Sequence, residues 1–146
     1  TSKSDEKLER ARGLGADETV NYADIPNWDD AVMDLTDGNG VDQVVEVGGP
    51  GTLQKSIGAT GFGGHIAMIG SLQQGDVNVH PLLRKSIRLS GIFAGSRDMF
   101  RDMNTAISVN VMRPVVDQVF GFDDARSAFH ALGSNDHFGK IVIRND

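Results

Sequence analysis

The sequence predicts an α/β protein built on a doubly wound parallel sheet that is incomplete at its N-terminal side. Three observations carry this prediction. Short runs rich in valine and isoleucine recur along the chain, bounded by glycine. Segments of about ten residues with apolar positions at helical spacing lie between them. The alternation is strict, and strict alternation means βαβ units with right-handed crossovers and helices on both sheet faces.

The elements follow in order. In "TSKSDEKLERARGLGADETVNY", residues 1–22, Ser4 reads as a helix N-cap. Asp5 and Glu6 sit in the first turn, where acids favour the positive end of the helix. Leu8, Ala11 and Leu14 recur at helical spacing, and Gly15 stands where a left-handed C-cap is cheapest. This is a strand-to-helix turn whose strand is not in the sequence, and no initiator Met precedes it. The expectation is a fragment.

"ETVNYAD" reads as a short strand. In "PNWDDAVMDLTDGNG", Asn27 caps a helix, Trp28, Val32 and Leu35 share a face, and Gly38 is the stop. "VDQVVEVGG" reads as a strand buried on both faces. "TLQKSIGA" is helix, "GGHIAMIG" strand, and residues 71–86 are looser. "IRLSGIFAG" is a further strand. "RDMFRDMNTAISVNV" is a helix with Phe100, Met103 and Ile107 inward. From Pro114 onward, "PVVDQVFGFDDARSAFHALGSNDHFGKIVI" reads as strand, helix, strand. Phe122 and Ala125 lead there into an apolar face through Phe129 and Leu132. That segment either extends the same sheet or belongs to a second domain, and periodicity does not decide between them.

Composition narrows the function classes. The 146 residues suffice for one ordinary core, and 39% hydrophobic with 23% charged residues are the proportions of a soluble globular protein. No window approaches the roughly 18 apolar residues of a membrane span, and no signal peptide opens the chain. A net charge of -6 argues against a nucleic-acid partner, which needs a basic patch. Without cysteine there is no disulfide, thiolate zinc site or thiol nucleophile. A cytoplasmic location is the expectation.

The glycines cluster at 48–51 and 58–64. A Gly-x-Gly-x-x-Gly turn after a strand is the usual dinucleotide signature. "GFGGHI" begins at Gly61 and Gly63 but places Ile66 at the third position, before a strand, so it reads as a tight turn. "GPGTLQ" follows a strand and precedes a helix but again lacks the third glycine. His65, His80, His130 and His137 show no metal-ligand spacing and read as surface or packing histidines. Asp29–Asp30 and Asp123–Asp124 lie in first helical turns, where acids serve the dipole.

Three stretches taken together are more specific. "SDEKLERARGLGADETVNY", "GVDQVVEVGG…GATGFGGHIAMIG" and "LSGIFAGSRDMF…HFGKIVI" resemble the medium-chain dehydrogenase/reductase family, its zinc-type alcohol dehydrogenases and quinone oxidoreductases. The likeness covers nearly the whole chain in order and spacing. It implies a Rossmann-type domain preceded by a catalytic domain to which the last stretch returns. Residues 1–113 then correspond to part of the dinucleotide-binding domain and 114–146 to the returning strand–helix–strand segment. The first strand, the glycine fingerprint and the catalytic domain lie outside the sequence.

The resemblance assigns roles residue by residue. Ser2 stands where NAD-preferring members place an acid for the ribose hydroxyls. An acid repels a 2′-phosphate, whereas Ser2 can hydrogen-bond it and Lys3 can neutralise it. Lys7, one helical turn on, adds charge. Tyr22 resembles the tyrosine that some NADP-using members set against the adenosine phosphate. The expectation is NADP, with NAD the alternative if Lys3 and Lys7 are only solvated charges. Val47 and Gly48 match positions beside the nicotinamide-side ribose. Ile69, Gly70 and Ser71 match the strand end whose backbone bonds the carboxamide, and Ile92 and Phe93 match another such contact. Val47, Ile69, Ile92 and Phe93 read equally well as core packing. Lys140 matches a position where relatives carry Arg or Lys, facing the pyrophosphate; an exposed lysine on a strand needs no such role.

The implied function is hydride transfer between NADP(H) and an alcohol or carbonyl substrate. In zinc-type members the metal is a Lewis acid held by the catalytic domain. This chain carries no ligands for it, so no catalytic residue is assigned, and the fragment alone is expected to be inactive. The alternatives are a zinc-free quinone or enone reductase of the same family, or a non-catalytic nucleotide-binding or assembly module. A homodimer through the sheet edge at "VNVHPLL" and "IRLSGIF" is a further expectation.

Overall fold

The computed structural model describes residues 1–71 and 75–145. The chain divides into two compact units, Thr1–Ala94 and Gly95–Asp146.

The first unit begins with helix α1 (Asp5–Gly13). The Ser4 hydroxyl accepts the Lys7 amide at 3.4 Å, and Leu8 is buried. Gly15 adopts φ +103° just past the helix, as its position suggested. Leu14, expected on the apolar face, is instead exposed, because it is the C-cap and has left the helical track. The strand expected at "ETVNYAD" reduces to one parallel bridge, Ser2–Asn21, beside a buried Val20. Its partner stretch turns into the α1 cap two residues later, so the ladder has no room to lengthen.

Helix α2 (Trp28–Leu35) packs on helix α3 (Pro50–Ala59). Asn27 makes no side-chain cap bond, and Leu35 is exposed while Trp28 and Val32 are half-buried. The stop at Gly38 is present, at φ +79°, with its amide donating to the Met33 carbonyl at 2.7 Å.

Strands β1 (Val41–Glu46), β2 (Thr60–Met68) and β3 (Arg88–Gly91) form a parallel sheet in that order. Gln43 pairs with His65, Glu46 with Met68, and Met68 with Gly91. The "GFGG" turn proves to be a bulge inside β2, since Val41 pairs with Thr60 and the next paired residue, Gln43, with His65. Gly63 takes φ +73° there and donates to the Lys85 carbonyl.

Among the described residues the strand order of this unit does not reverse. Right-handed crossovers therefore deliver α3 and the short helix α4 (His80–Arg84) to the same sheet face. Leu53, Ile57, Ile66 and Ile87 form the core on that face, with Val44, Met68, Val77 and Leu82 around them. The other face is open. This corrects the expectation of burial on both sides of β1, because Val45 and Val47 are 61% and 62% exposed. His65 lies in β2, within 3.1 Å of Gln43 and 3.0 Å of Ser90.

In the second unit, helix α5 (Arg97–Val109) is capped by Ser96, whose hydroxyl accepts the Met99 amide. Phe100 and Met103 were expected inward but are exposed, and Ile107 is half-buried; no residue of this helix is buried. Strands β4 (Val116–Gly121) and β5 (Lys140–Arg144) pair in parallel, joined through a single 3-10 turn (Phe122–Asp124) and helix α6 (Ala125–Ser134). The strand–helix–strand reading holds, as a two-stranded sheet of its own rather than an extension of the first. The buried residue of α6 is Ala128, whereas Phe122, Phe129 and Leu132 are exposed. The small side chains at 125 and 128 let the helix lie close on its strands, and Phe129 is turned about 100° away from that line. No helix among the described residues is long and apolar enough to cross a membrane.

Candidate functional site

In an open parallel sheet the carboxyl ends of the strands are where ligands bind. Glu46 ends β1. Side-chain alternation puts it on the same face as Val44, toward the core, and it is 4% exposed. A lone carboxylate there is costly unless it is fully hydrogen-bonded. It is. Oε1 accepts the Gly48 amide at 2.7 Å, the Gly49 amide at 3.0 Å and the Thr52 hydroxyl at 2.6 Å. Oε2 accepts the Ser56 hydroxyl. Burial alone would raise the Glu46 carboxyl, but the bonds from Ser56, Thr52, Gly49 and Gly48 outweigh it and hold the group below the usual carboxylate range.

These donors explain "VGGPGT" locally. Gly49, at φ +88°, is the N-cap of α3 and Pro50 follows in the first turn. The Gly48 and Gly49 amides, on the turn that leads into that helix, and the Thr52 hydroxyl in its first turn converge on the Glu46 carboxylate, whose charge complements the dipole.

The main chain of Glu46 joins the next strand end. Its carbonyl accepts the amides of Ile69 at 2.8 Å and Gly70 at 3.0 Å. A Cβ on Gly70 would collide with the Val47 carbonyl, and one on Gly49 would lie 2.8 Å from the Gly70 oxygen. Backbone therefore packs on backbone here, and only glycine allows it. The third strand end joins through the Ile92 amide, 2.8 Å from the Met68 carbonyl.

Seven predicted residues thus come together along the carboxyl edge of one sheet: Val47, Gly48, Ile69, Gly70, Ser71, Ile92 and Phe93. The four apolar ones are not part of the core of this unit. Val47, Ile69 and Ile92 are exposed, and Phe93 is 103% exposed.

Four others gather at the amino end of the unit. The Tyr22 amide donates to the Ser2 carbonyl at 3.0 Å, and the Ser2 amide to the Val20 carbonyl at 3.2 Å. The Ser2 hydroxyl accepts the Ser4 amide at 3.2 Å, which leaves its own proton to donate. Lys3 is exposed and Lys7 half-buried one turn away. Lys140 is the first residue of β5, in the second unit, where it lines a groove of about 250 Å³ with Phe129, Leu132 and Ile141.

The chain has no cysteine, and among the described residues no three His, Asp or Glu side chains converge as a metal would require. The residues present do not fit zinc. The exposed edge sets glycine backbone beside the apolar side chains of Val47, Ile69, Ile92 and Phe93. Glu46 was missed by the sequence reading. Its signal was parity: the pattern that turns Val44 inward turns Glu46 inward too.

Comparison with known proteins gives consistent matches. Residues 1–108 match the zinc-binding dehydrogenase family. A zinc-type alcohol dehydrogenase-like protein of Schizosaccharomyces pombe is 40% identical over all of this chain and 44% of its own length. A zinc-type alcohol dehydrogenase-like protein of Leptosphaeria maculans is 36% identical over 98% of this chain and 42% of its own. The crystal structure of an NAD-dependent alcohol dehydrogenase superposes with a TM-score of 0.86 at 32% identity, covering 98% of this chain and 42% of that one. The chain spans less than half the length of each of these relatives.

Proposed function

The chain belongs to the zinc-binding dehydrogenase family of medium-chain dehydrogenases and reductases, and from that premise we propose that it holds the cofactor of an NADP-dependent oxidoreductase acting on alcohols or carbonyls. One observation carries the reading. Three parallel strand ends are locked together at their carboxyl edge and present open backbone beside exposed apolar side chains. The bound dinucleotide supplies or accepts the hydride, while the protein binds and orients it. Val47 and Gly48 would hold the ribose, and the backbone groups of Ile69–Ser71 and Ile92–Phe93 that the sheet does not use would bond the carboxamide. The apolar side chains there exclude water from one face of the ring. Residues 114–146 return to a catalytic domain in this reading, and by itself the chain turns over no alcohol.

The choice of nucleotide rests on Ser2 and Lys3, since a similar solved structure is that of an NAD-dependent enzyme. The Ser2 hydroxyl keeps a proton to donate to a 2′-phosphate, and the exposed Lys3 is adjacent in sequence. The test is titration of the oxidoreductase that carries this chain with NADPH and NADH, followed by fluorescence. We expect NADPH to bind about tenfold tighter, which corresponds to about 1.4 kcal/mol. Ser2→Asp should erase that preference. Equal affinities in the wild type would overturn the NADP assignment, and binding of neither would overturn the whole reading.

A further inference from the structure

We propose that Glu46 is the positioning residue of the cofactor edge, acting through the backbone it holds and touching no ligand itself. This rests on the reading above. Glu46 binds three separate pieces of structure. Its carboxylate takes the amides of Gly48 and Gly49, which fixes the turn after β1. The same carboxylate takes the hydroxyls of Thr52 and Ser56, which fixes the first two turns of α3 against that turn. Its carbonyl takes the amides of Ile69 and Gly70, which fixes the end of β2.

The consequence concerns the segments that bracket Glu46. Val47 and Gly48 follow it directly, and Ile69 and Gly70 hang from its carbonyl. The glycine contacts leave no slack between these segments, because Gly70 sits against the Val47 carbonyl and Gly49 against Gly70. A shift of either strand end moves the other. Removing the carboxylate takes the acceptor from the Gly48 and Gly49 amides and the Ser56 hydroxyl at a buried site and leaves the Thr52 hydroxyl only the Gly49 carbonyl, so the turn must move to reach water.

The same geometry states what α3 does not do. A helix N-terminus after a strand is a ready anion site. Here the Gly48 and Gly49 amides before the helix and the Thr52 and Ser56 hydroxyls within it already donate to the protein's own carboxylate, which puts a negative charge at that helix start. That charge disfavours a second anion at the start of α3.

The test uses the oxidoreductase that carries this chain, with Glu46→Ala, Glu46→Gln and Thr52→Val. Thr52→Val removes one bond to Oε1 and keeps the side-chain shape. Dinucleotide Kd, KM, kcat and thermal midpoint are measured for each. We expect Glu46→Ala to weaken dinucleotide binding at least about tenfold, with the loss falling on KM far more than on kcat. Glu46→Gln should recover most of it, since an amide oxygen still accepts from Gly48 and Gly49 and the NH2 can donate to Ser56. Thr52→Val should weaken binding about threefold, a partial form of the same effect. Wild-type Kd for both Glu46→Ala and Thr52→Val would overturn the proposal while leaving the cofactor reading intact. Should Glu46→Ala fail to fold, Thr52→Val decides: unchanged Kd refutes. A wild-type protein that binds no dinucleotide refutes the cofactor reading first.

Discussion

Lys85 offers the sharpest test of how the first unit is held together. Its ammonium donates to the carbonyls of Gly58 at 2.7 Å and Thr60 at 2.9 Å, with the Ile57 carbonyl at 3.5 Å. Those oxygens belong to the last turn of α3 and the residue that follows it, where carbonyls lack helical partners and the dipole is negative. The Lys85 carbonyl also accepts the Gly63 amide inside the β2 bulge. Lys85→Met keeps the aliphatic stem and removes only the donor. Hydrogen bonds to a charged group contribute about 1.5–3 kcal/mol each when both partners are well buried. Lys85 is half-buried, so water replaces part of the loss, and a net cost of about 2 kcal/mol follows for two good bonds. Trp28 is the one tryptophan of this sequence and lies in α2, packed on α3, so its fluorescence in this chain reports this unit. With a urea slope of about 1–2 kcal/mol/M, the midpoint should fall by about 1–2 M. A midpoint within about 0.2 M of wild type would refute the argument that these carbonyls depend on the lysine.

Three further outcomes are expected. Ile57 is fully buried in the core, and Ile57→Ala should cost about 2–5 kcal/mol in the same urea titration; a loss below about 1 kcal/mol would mean that the site collapses around the deletion. Gly70→Ala should destabilise by about 1–3 kcal/mol, because its Cβ meets the rigid Val47 backbone rather than a side chain that can move; differential scanning calorimetry checks it, and Gly13→Ala, which meets nothing, is the control. The Glu46 carboxyl is held below its unfolded value, so the unfolded chain binds the extra proton in that window and stability rises with pH through it. The stabilisation is complete above the unfolded value of about 4.3 and is lost as pH falls through the folded one. Urea midpoints taken across that range should fall more steeply for wild type than for Glu46→Gln, and parallel curves would contradict it.

Local chemistry made much of the fold legible. Ser4 caps its helix, Gly15 and Gly38 sit at positive φ where helices end, and "VDQVVE" is a strand. These features depend on a few neighbouring residues. "ETVNYAD" misled because strand propensity needs a partner, and its partner offers one bridge. Phe100, Met103 and Phe129 misled because apolar spacing states which residues can share a face, not whether anything covers that face.

The candidate site divides in the same way. By itself the sequence determined the alternation of elements, the glycines that let backbone approach backbone, and the family that those stretches resemble. The order of β1, β2 and β3 was decided only in three dimensions. That order put α3 and α4 on one face and left Val45 and Val47 open on the other. The tertiary structure also decided the role of Glu46. Its donors lie two to ten residues away on a turn and a helix, and a carboxylate tolerates burial only where such donors converge. Their convergence is set by the packing of α3 on β1, which no local pattern encodes.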